Sequence, residues 1–261
     1  MTSGKIKVDL QDGIAALTVD NAERRNAMTL HMWKQLAEVL RELAQTRIRV
    51  LTLTGAGTRA FVSGADISEF GQTRDGHAAV TCYNEAVAEA QLQLAQFPAP
   101  TVALIRGACM GGGIGLALAC DLRYASASAS FRMPAVRLGL GYGLEDMRRV
   151  VQVMGPAAAF ELFYTARTLN AGQAERRGLI QECFNEDDFS RQTWARVHGI
   201  ASHAPLSLRA AKATILASIS APDARQLDTI AALVQQCFDS EDYAEGRRAF
   251  AEKREPRFLG L

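Results

Sequence analysis

The chain has 261 residues, of which 48% are hydrophobic, so it is long and apolar enough to bury a sizeable core. Its 29 basic and 28 acidic residues nearly cancel, so net charge gives no support for binding to nucleic acid or to an anionic membrane surface. The five cysteines are odd in number and include no CxxC pair, which favours a reducing, cytoplasmic compartment.

The first predicted elements are a β-hairpin and a helix. Residues 6–10 and 14–19 read as strands on either side of Asp12-Gly13, a pair typical of hairpin turns. Thr29 is placed to cap a helix whose apolar side chains recur at helical spacing. These side chains are Trp33, Leu36, Leu40 and Leu43. No apolar segment follows the first lysines, so we expect neither a signal peptide nor a transit peptide.

Two glycine turns follow strand-like segments. Residues 50–54 precede Phe61-Val-Ser-Gly-Ala-Asp-Ile-Ser-Glu-Phe70, and a second apolar run leads into Ile105-Arg-Gly-Ala-Cys-Met-Gly-Gly-Gly-Ile-Gly-Leu116. The three glycines at 111–113 let the backbone approach a ligand and turn into a helix whose first N–H groups lack intrahelical partners. Each turn can offer one N–H to the same oxygen atom, so together they predict an oxyanion hole.

The part of the chain after Trp194 is predicted to be helical. Residues 206–219 and 224–238 are rich in Ala, Leu and Gln and contain few strand formers. Their apolar positions have too little partner surface within this segment to be buried there. They include Ile215, Leu227, Ile230 and Val234. We therefore expect this region to take part in self-association.

Several catalytic motifs are excluded by spacing. The glycine run does not satisfy GxGxxG because Leu116 occupies the last required position, and Asp121 follows too early to meet a ribose. The sequence contains neither a Walker A motif nor HExxH, and Ser63 lacks both glycines of a GxSxG elbow. The four histidines show no ligand spacing, so metal catalysis is not expected.

Further motifs occur in order along the chain. They are residues 21–28, 120–125, 171–180, 238–246 and 250–258. With the two glycine turns, they resemble the crotonase superfamily, also called the enoyl-CoA hydratase/isomerase family, over nearly the whole length. The resemblance implies an α/β fold in which a crotonase-like spiral of ββα units, residues 1–190, holds an acyl-CoA site. Residues 191–261 would form a C-terminal helical trimerisation domain, giving a homotrimer or a dimer of trimers.

The resemblance also implies a site for an acyl-CoA thioester, with coenzyme A as part of the substrate and no separate cofactor or metal. The N–H groups of Ala65 and Gly112 would hold the thioester oxygen while an enolate forms. The residues assigned to CoA and substrate binding are Arg24, Arg25, Ser63, Asp66, Ile67, Met110 and Lys253, the last reaching a neighbouring subunit's CoA together with Arg254. Asp66 also begins a capping-box pattern that ends at Glu69, so its carboxylate is interpreted as a helix cap rather than a proton carrier. Cys109 is interpreted as a buried thiol lining the acyl pocket.

The two glutamates that a hydratase of this family uses for proton transfer are missing. Gly115 and Ala135 occupy their positions, and neither can move a proton. Tyr142 coincides with a tyrosine that the methylmalonyl-CoA decarboxylase branch places beside the substrate carboxylate, although that branch carries a histidine where Ala65 stands. Tyr142 is equally interpretable as a pocket wall. The nearby acids are Glu145 and Asp146, which also suit the first turn of a helix.

Three functional hypotheses follow. The first is an acyl-CoA lyase or isomerase, with decarboxylation or isomerisation favoured because decarboxylation needs no strong enzymatic base. The second is an enoyl-CoA hydratase in which Glu145 or another residue replaces the missing glutamates. The third is a catalytically silent acyl-CoA-binding protein.

Overall fold

A β-hairpin begins the fold in the computed structural model, which describes residues 4–66, 69 and 76–261. Strand β1 (Lys5–Gln11) pairs antiparallel with β2 (Ile14–Asp20). In the turn between them, φ is positive at Asp12 (51°) and at Gly13 (77°). Glycine adopts positive φ readily, and aspartate does so more often than most residues. The hairpin predicted from this pair is therefore confirmed.

The other strands alternate between two sheets. Their bounds are β3 Val50–Gly55, β4 Ala60–Val62, β5 Thr101–Ile105, β6 Ala108–Met110, β7 Leu122–Ser126, β8 Ser130–Arg132, β9 Leu169–Asn170 and β10 Glu182–Phe184. The larger sheet has the order β1-β2-β3-β5-β7-β10 and is parallel from β2 to β10. The smaller sheet has the order β4-β6-β8-β9 and is parallel from β4 to β8. Successive strand pairs thus place one strand in each sheet.

Helices connect these strand pairs and extend beyond them. The described α-helices are α1 Leu30–Leu43, α2 His77–Ala95, α3 Gly112–Ala119, α4 Leu144–Thr165, α5 Ala171–Arg176, α6 Phe189–Ala201, α7 Pro205–Ser218, α8 Ala224–Phe238 and α9 Glu241–Glu252. Thr29 caps α1 as predicted, because its side chain accepts a hydrogen bond from the Met32 N–H. Helices α1 and α2 are joined by a buried hydrogen bond of 2.9 Å from Trp33 Nε1 to the Tyr83 hydroxyl. This pair of helices covers one side of α3.

The C-terminal region is helical, as the composition predicts. Helices α7 and α8 match the predicted segments, and Asp223 forms a capping box at the start of α8. Lys212 of α7 ties this region to the core, because its Nζ lies 2.8 Å from an Asp121 carboxylate oxygen and 3.2 Å from the Ala99 carbonyl oxygen. The predicted fold class is confirmed, whereas the domain boundary at residue 191 and trimerisation stay predictions. Among the described helices, none combines the length and apolar character that crossing a membrane requires.

Candidate active site

The site lies at one edge of the smaller sheet, where three adjacent parallel strands end. Ser63 follows β4, Gly111 follows β6 and Met133 follows β8. Because the carboxyl ends of parallel strands share an edge, the two glycine turns and the segment carrying Ala135 come together there. The contact between the turns is close, since a Cβ atom built on Gly64 would lie 3.4 Å from the Met110 carbonyl oxygen.

The first N–H of the predicted oxyanion hole belongs to Ala65. Met28 and Ala65 form an isolated parallel bridge, in which the Met28 N–H donates to the Gly64 carbonyl and the Asp66 N–H donates to the Met28 carbonyl. Since backbone groups alternate in direction along an extended segment, the Ala65 N–H points away from Met28. Within the described residues it donates no hydrogen bond to the protein.

The second N–H belongs to Gly112, the first residue of α3. Gly111 reaches this turn with φ of 51° and ψ of −115°, a conformation that strongly favours glycine, and its own N–H is bonded to the Arg132 carbonyl. The Gly112 N–H has no intrahelical partner at this position, and no other acceptor in the described part of the chain takes it up. Both N–H groups predicted to hold a thioester oxygen are therefore available.

At the C-terminal end of α3, in contrast to its N-terminal end, the backbone groups have hydrogen-bond partners. Arg123 is 4% exposed, and its Nη1 donates to the Cys120 carbonyl at 2.7 Å and to the Ala117 carbonyl at 3.4 Å. Its Nε donates to the Leu179 carbonyl at 2.8 Å. The Cys120 carbonyl, which no backbone N–H of the helix satisfies, is thus bonded to a buried cation, and the Ala117 carbonyl shares that cation with the Cys120 N–H.

One face of α3 carries no side chains. Gly112 and Gly115 are half-buried, whereas the other residues of this helix are buried, and their spacing of three residues places them on the same side. We call these two residues the glycine face of α3. A Cβ atom on Gly112 would lie 3.2 Å from Trp33 Cζ2. The Trp33 ring therefore lies against the glycine face.

Gln91 occupies the space into which a side chain at residue 115 would project. A Cβ atom built on Gly115 would lie 2.5 Å from Gln91 Nε2. Gln91, on α2, is 2% exposed, and its Oε1 accepts a hydrogen bond of 2.7 Å from Arg149 Nη1 of α4. The position at which the resemblance places one hydratase glutamate is thus filled by an amide from another helix. Ala135, at the other position, is buried.

Tyr142 lies beside the hole. A Cβ atom built on Gly111 would lie 3.5 Å from the Tyr142 hydroxyl oxygen, and the Tyr142 ring packs edge-to-face on Phe163 with 5.5 Å between centroids. The side chain is half-buried. Its predicted role beside the reacting group and its alternative role as a pocket wall are both compatible with this position.

The two acids of α4 differ in environment. Glu145 is exposed and forms a 2.8 Å ion pair with Arg148 three residues later. Asp146 is half-buried, and burial raises the pKa of its carboxyl group, while Arg149 and a hydrogen bond from the Gly143 backbone act in the opposite direction. Both acids lie in the first turn of α4, as the helix-dipole interpretation expects. Of the two, only Asp146 has a carboxyl pKa that burial raises; the catalytic role of Glu145 stays a prediction.

Most of the residues predicted to bind CoA are brought together in one loop cluster. Arg24 Nη1 lies 2.7 Å from an Asp66 carboxylate oxygen, and the Ser63 N–H donates to the Arg25 carbonyl at 3.2 Å. Arg24 and Arg25 are exposed. Asp66 thus contacts a cation, and it is Glu69 that accepts a 3.1 Å hydrogen bond from the Leu30 N–H at the start of α1.

Three further residues predicted to bind CoA or substrate lie outside this loop cluster or outside the described residues. Met110 ends β6 and is half-buried at the turn. Lys253 is exposed at the C-terminal end of α9, where Arg254 pairs with Glu245. Ile67 lies outside the described residues.

Neither Cys109 nor a metal-ligand cluster forms a second reactive centre in the described part of the chain. Cys109 is buried, and burial raises the pKa of its thiol far above neutrality, so it remains a thiol rather than a nucleophilic thiolate. No group of three His, Cys, Asp or Glu side chains placed to hold a metal ion occurs among the described residues.

Sequence comparison and structural comparison give the same result. The family model described as Enoyl-CoA hydratase/isomerase matches residues 9–260. The mitochondrial enoyl-CoA hydratase domain-containing protein 2 of Bos taurus is 33% identical over 253 residues, which cover 95% of this chain and 85% of that protein. The short-chain-enoyl-CoA hydratase of Clostridium acetobutylicum is 28% identical over 257 residues, covering 97% of both chains.

Solved structures of similar proteins superpose over almost the whole chain. An enoyl-CoA hydratase/carnithine racemase from Magnetospirillum magneticum has a TM-score of 0.93 and 33% identity, covering 98% of this chain and 96% of that one. An enoyl-CoA hydratase from Bacillus anthracis has a TM-score of 0.91 and 29% identity, covering 98% and 99%. With the paired glycine turns at one sheet edge, these matches show that the chain belongs to the enoyl-CoA hydratase/isomerase family of the crotonase superfamily.

Proposed function

We propose that this protein is an acyl-CoA lyase or isomerase that stabilises a thioester enolate through the N–H groups of Ala65 and Gly112. The observation that carries the proposal is the combination of two available N–H groups at one sheet edge with Gly115 and Ala135 at the proton-transfer positions. Each oxyanion-hole donor typically contributes about 3–4 kcal/mol to transition-state stabilisation. The site thus retains the means to hold an enolate but lacks the two carboxylates used for hydration.

Decarboxylation suits this arrangement. The bond between Cα and the departing carboxylate breaks, CO2 leaves, and the electron pair of that bond becomes the enolate, whose negative oxygen is held by the two N–H groups. A proton from water or from a pocket side chain then adds to Cα, so that the acyl-CoA product forms. No base is needed to generate the enolate. Isomerisation instead requires a residue to carry a proton, and Tyr142 and Asp146 are the described candidates.

Hydration is the second candidate function. It is supported by the names of similar proteins, such as the short-chain-enoyl-CoA hydratase of Clostridium acetobutylicum, and by the raised pKa of Asp146. Glu145 was the carboxylate expected for this role, but its exposure and its pairing with Arg148 make Asp146 the better placed acid. A hydratase here would have to activate water with that single carboxyl group.

Turnover of a panel of CoA thioesters tests this choice. The panel contains crotonyl-CoA, a 3-hydroxyacyl-CoA and malonyl-type thioesters. We expect crotonyl-CoA hydration to be slow, since each general acid or base contributes about 10²- to 10⁴-fold. Tyr142→Phe should lower kcat for the best substrate by about 10- to 100-fold, the value of a hydrogen bond to a charged group, while CoA binding persists.

Two carboxyl variants separate the alternatives. Glu145→Gln and Asp146→Asn should leave lyase turnover intact if the enolate forms by loss of CO2, because neither carboxylate takes part in that step. Rapid crotonyl-CoA hydration that disappears in either variant would establish the hydratase instead. Tight acyl-CoA binding with no turnover of any thioester would identify a silent binding protein.

The substrate itself would supply coenzyme A, and no further cofactor is needed for this chemistry. The loop containing Arg24 and Arg25 offers exposed guanidinium groups for the phosphates of CoA. Lys253 would bind the CoA held by another subunit. The five free cysteines fit the reducing, cytoplasmic compartment that we propose for the protein.

Self-association is part of the proposal. Ile215, Leu227 and Val234 are 61%, 54% and 40% exposed on α7 and α8, and burying such side chains against another copy would remove them from water. We expect a trimer or hexamer in multi-angle light scattering at micromolar concentration. Substitution of Leu227 and Val234 by serine should shift the mass towards the monomer, while Thr229→Ser on the same helix should not. A wild-type protein that is monomeric under these conditions would contradict the proposal.

A further inference from the structure

We infer that Gln91 binds a carboxylate on the acyl part of the substrate and that Arg149 positions it for this task, so the preferred substrate class is a malonyl-type CoA thioester. The inference rests on the proposed function. It assigns the recognition of the acyl group to two residues from helices α2 and α4, which lie 58 positions apart in sequence.

The orientation of the Gln91 amide follows from its partner. A guanidinium group only donates hydrogen bonds, so the Gln91 oxygen must face Arg149 Nη1, which lies 2.7 Å away. The NH2 group then faces the opposite direction, over Gly115 of the glycine face. The donor hydrogens of Gln91, rather than its carbonyl oxygen, are therefore nearest to the glycine face.

These donors have no protein acceptor among the described residues, and Nε2 is not among the described buried atoms that lack a partner, so it keeps contact with solvent although Gln91 as a whole is 2% exposed. An acceptor supplied by the substrate would satisfy these donors. Glycine at residue 115 allows the amide to lie here, because any side chain at that position would displace it.

The charge around the amide favours an anionic acceptor over a neutral one. Arg149 is half-buried, and its contact with Gln91 Oε1 polarises the amide so that its NH2 group becomes a stronger donor. No ion pair within 4.0 Å occupies Arg149 in the described part of the chain. Asp146 interacts with Arg149 electrostatically, but no ion pair between the two is formed among the described residues.

The same arrangement suits loss of the carboxylate. A direct ion pair with arginine would stabilise the carboxylate in the ground state and oppose the departure of neutral CO2. Here the neutral amide stands between the guanidinium and the glycine face. The carboxylate is oriented next to the oxyanion hole without being fully neutralised.

Binding of two matched probes tests the inference. Propionyl-CoA has the shape of malonyl-CoA with a methyl group in place of the carboxylate, so the ratio of their Kd values measures recognition of the carboxylate alone. We expect calorimetric titration of the wild type to give a preference for malonyl-CoA of about 10-fold or more. Chromatography after each titration establishes that the thioester is intact; if malonyl-CoA is consumed, its KM replaces its Kd.

Substitutions show which residues cause the preference for malonyl-CoA over propionyl-CoA. Gln91→Met removes the donors at nearly constant volume and should lower the preference about 10-fold, and Gln91→Glu should reverse it, because a carboxylate would then face a carboxylate. Arg149→Met should lower it while Arg149→Lys restores part of it. Arg148→Met is the matched control, since Arg148 is adjacent, exposed and paired with Glu145; it should leave the preference unchanged. Thermal melts verify that each variant is folded.

The outcomes separate this inference from the proposed function. Equal affinity of the wild type for the two probes, or a preference that survives both Gln91→Met and Gln91→Glu, would overturn the inference. If a thioester without a carboxylate were nevertheless turned over, the proposed function would stand even though the inference about Gln91 had failed. A carboxylate preference that depends on Gln91 would support the inference, even if no thioester in the panel were turned over and the proposed function failed.

Discussion

Replacing Gly112 with proline should reduce kcat/KM for the best acyl-CoA substrate by about 10²- to 10³-fold, the typical effect of removing one oxyanion-hole donor. Proline lacks a backbone N–H but is well tolerated at the first position of a helix, which Gly112 occupies in α3. The variant removes the N–H proposed to hold the oxyanion. It also distorts the turn, because a residue before proline favours positive ψ whereas Gly111 has ψ of −115°. Steady-state kinetics, together with circular dichroism and light scattering for fold and assembly, measure the effect.

Gly112→Ala is the matched control. It adds a Cβ atom 3.2 Å from Trp33 Cζ2, a tight contact, but keeps the N–H group. We expect it to retain most of the activity that the proline variant loses. Full turnover in a folded Gly112→Pro protein would show that this N–H takes no part in catalysis. Equal losses in both variants would attribute the effect to the contact with Trp33.

Gly113→Ala should lower the free energy of unfolding by at least about 2 kcal/mol, within the range found for inserting atoms into a packed core. A Cβ atom on Gly113 would lie 2.3 Å from the Val62 carbonyl oxygen, so either α3 or β4 must move. Because β4 leads into the turn containing Ala65, this movement should also separate the two N–H groups and lower kcat. Urea denaturation and kinetics measure the two effects.

Gly115→Ala provides the comparison within the same helix. Its Cβ atom would meet Gln91 Nε2, the end of a flexible side chain, at 2.5 Å. The helix gains about 1 kcal/mol when alanine replaces glycine, which offsets the displacement of that side chain. We expect nearly unchanged stability for Gly115→Ala. Equal stability losses in the two alanine variants would contradict the close approach of α3 to β4.

Local features of the sequence predicted much of this fold. The Asp12-Gly13 turn, the Thr29 cap and the helix over residues 224–238 depend on neighbours within a few residues, and the structure has each of them. The glycine turns were predicted to face one oxygen because each follows a strand. Their adjacency depends on the parallel pairing of β4 with β6, which the resemblance to a known fold implied.

Side chains that meet across the fold were not predictable in the same way. Gln91 lies in a helix with no motif, and its contact with Arg149 joins α2 to α4 through tertiary packing alone. The difference between Glu145 and Asp146 has a similar origin, since adjacent acids at a helix start look equivalent until burial separates them. The sequence signal for this contact was glycine at residue 115. A glycine leaves space beside the helix that a side chain from another element can occupy.

The buried guanidinium of Arg123 has a consequence for the timing of catalysis. It compensates the carbonyl end of α3, while the positive potential of the amide end is directed out of the N-terminus at Gly112. These dipoles are held by the core and do not need to rotate when negative charge moves onto the thioester oxygen. Folding thus orients the backbone dipoles in advance. In the proposed reaction, no further free energy is needed to reorient them when the oxyanion forms.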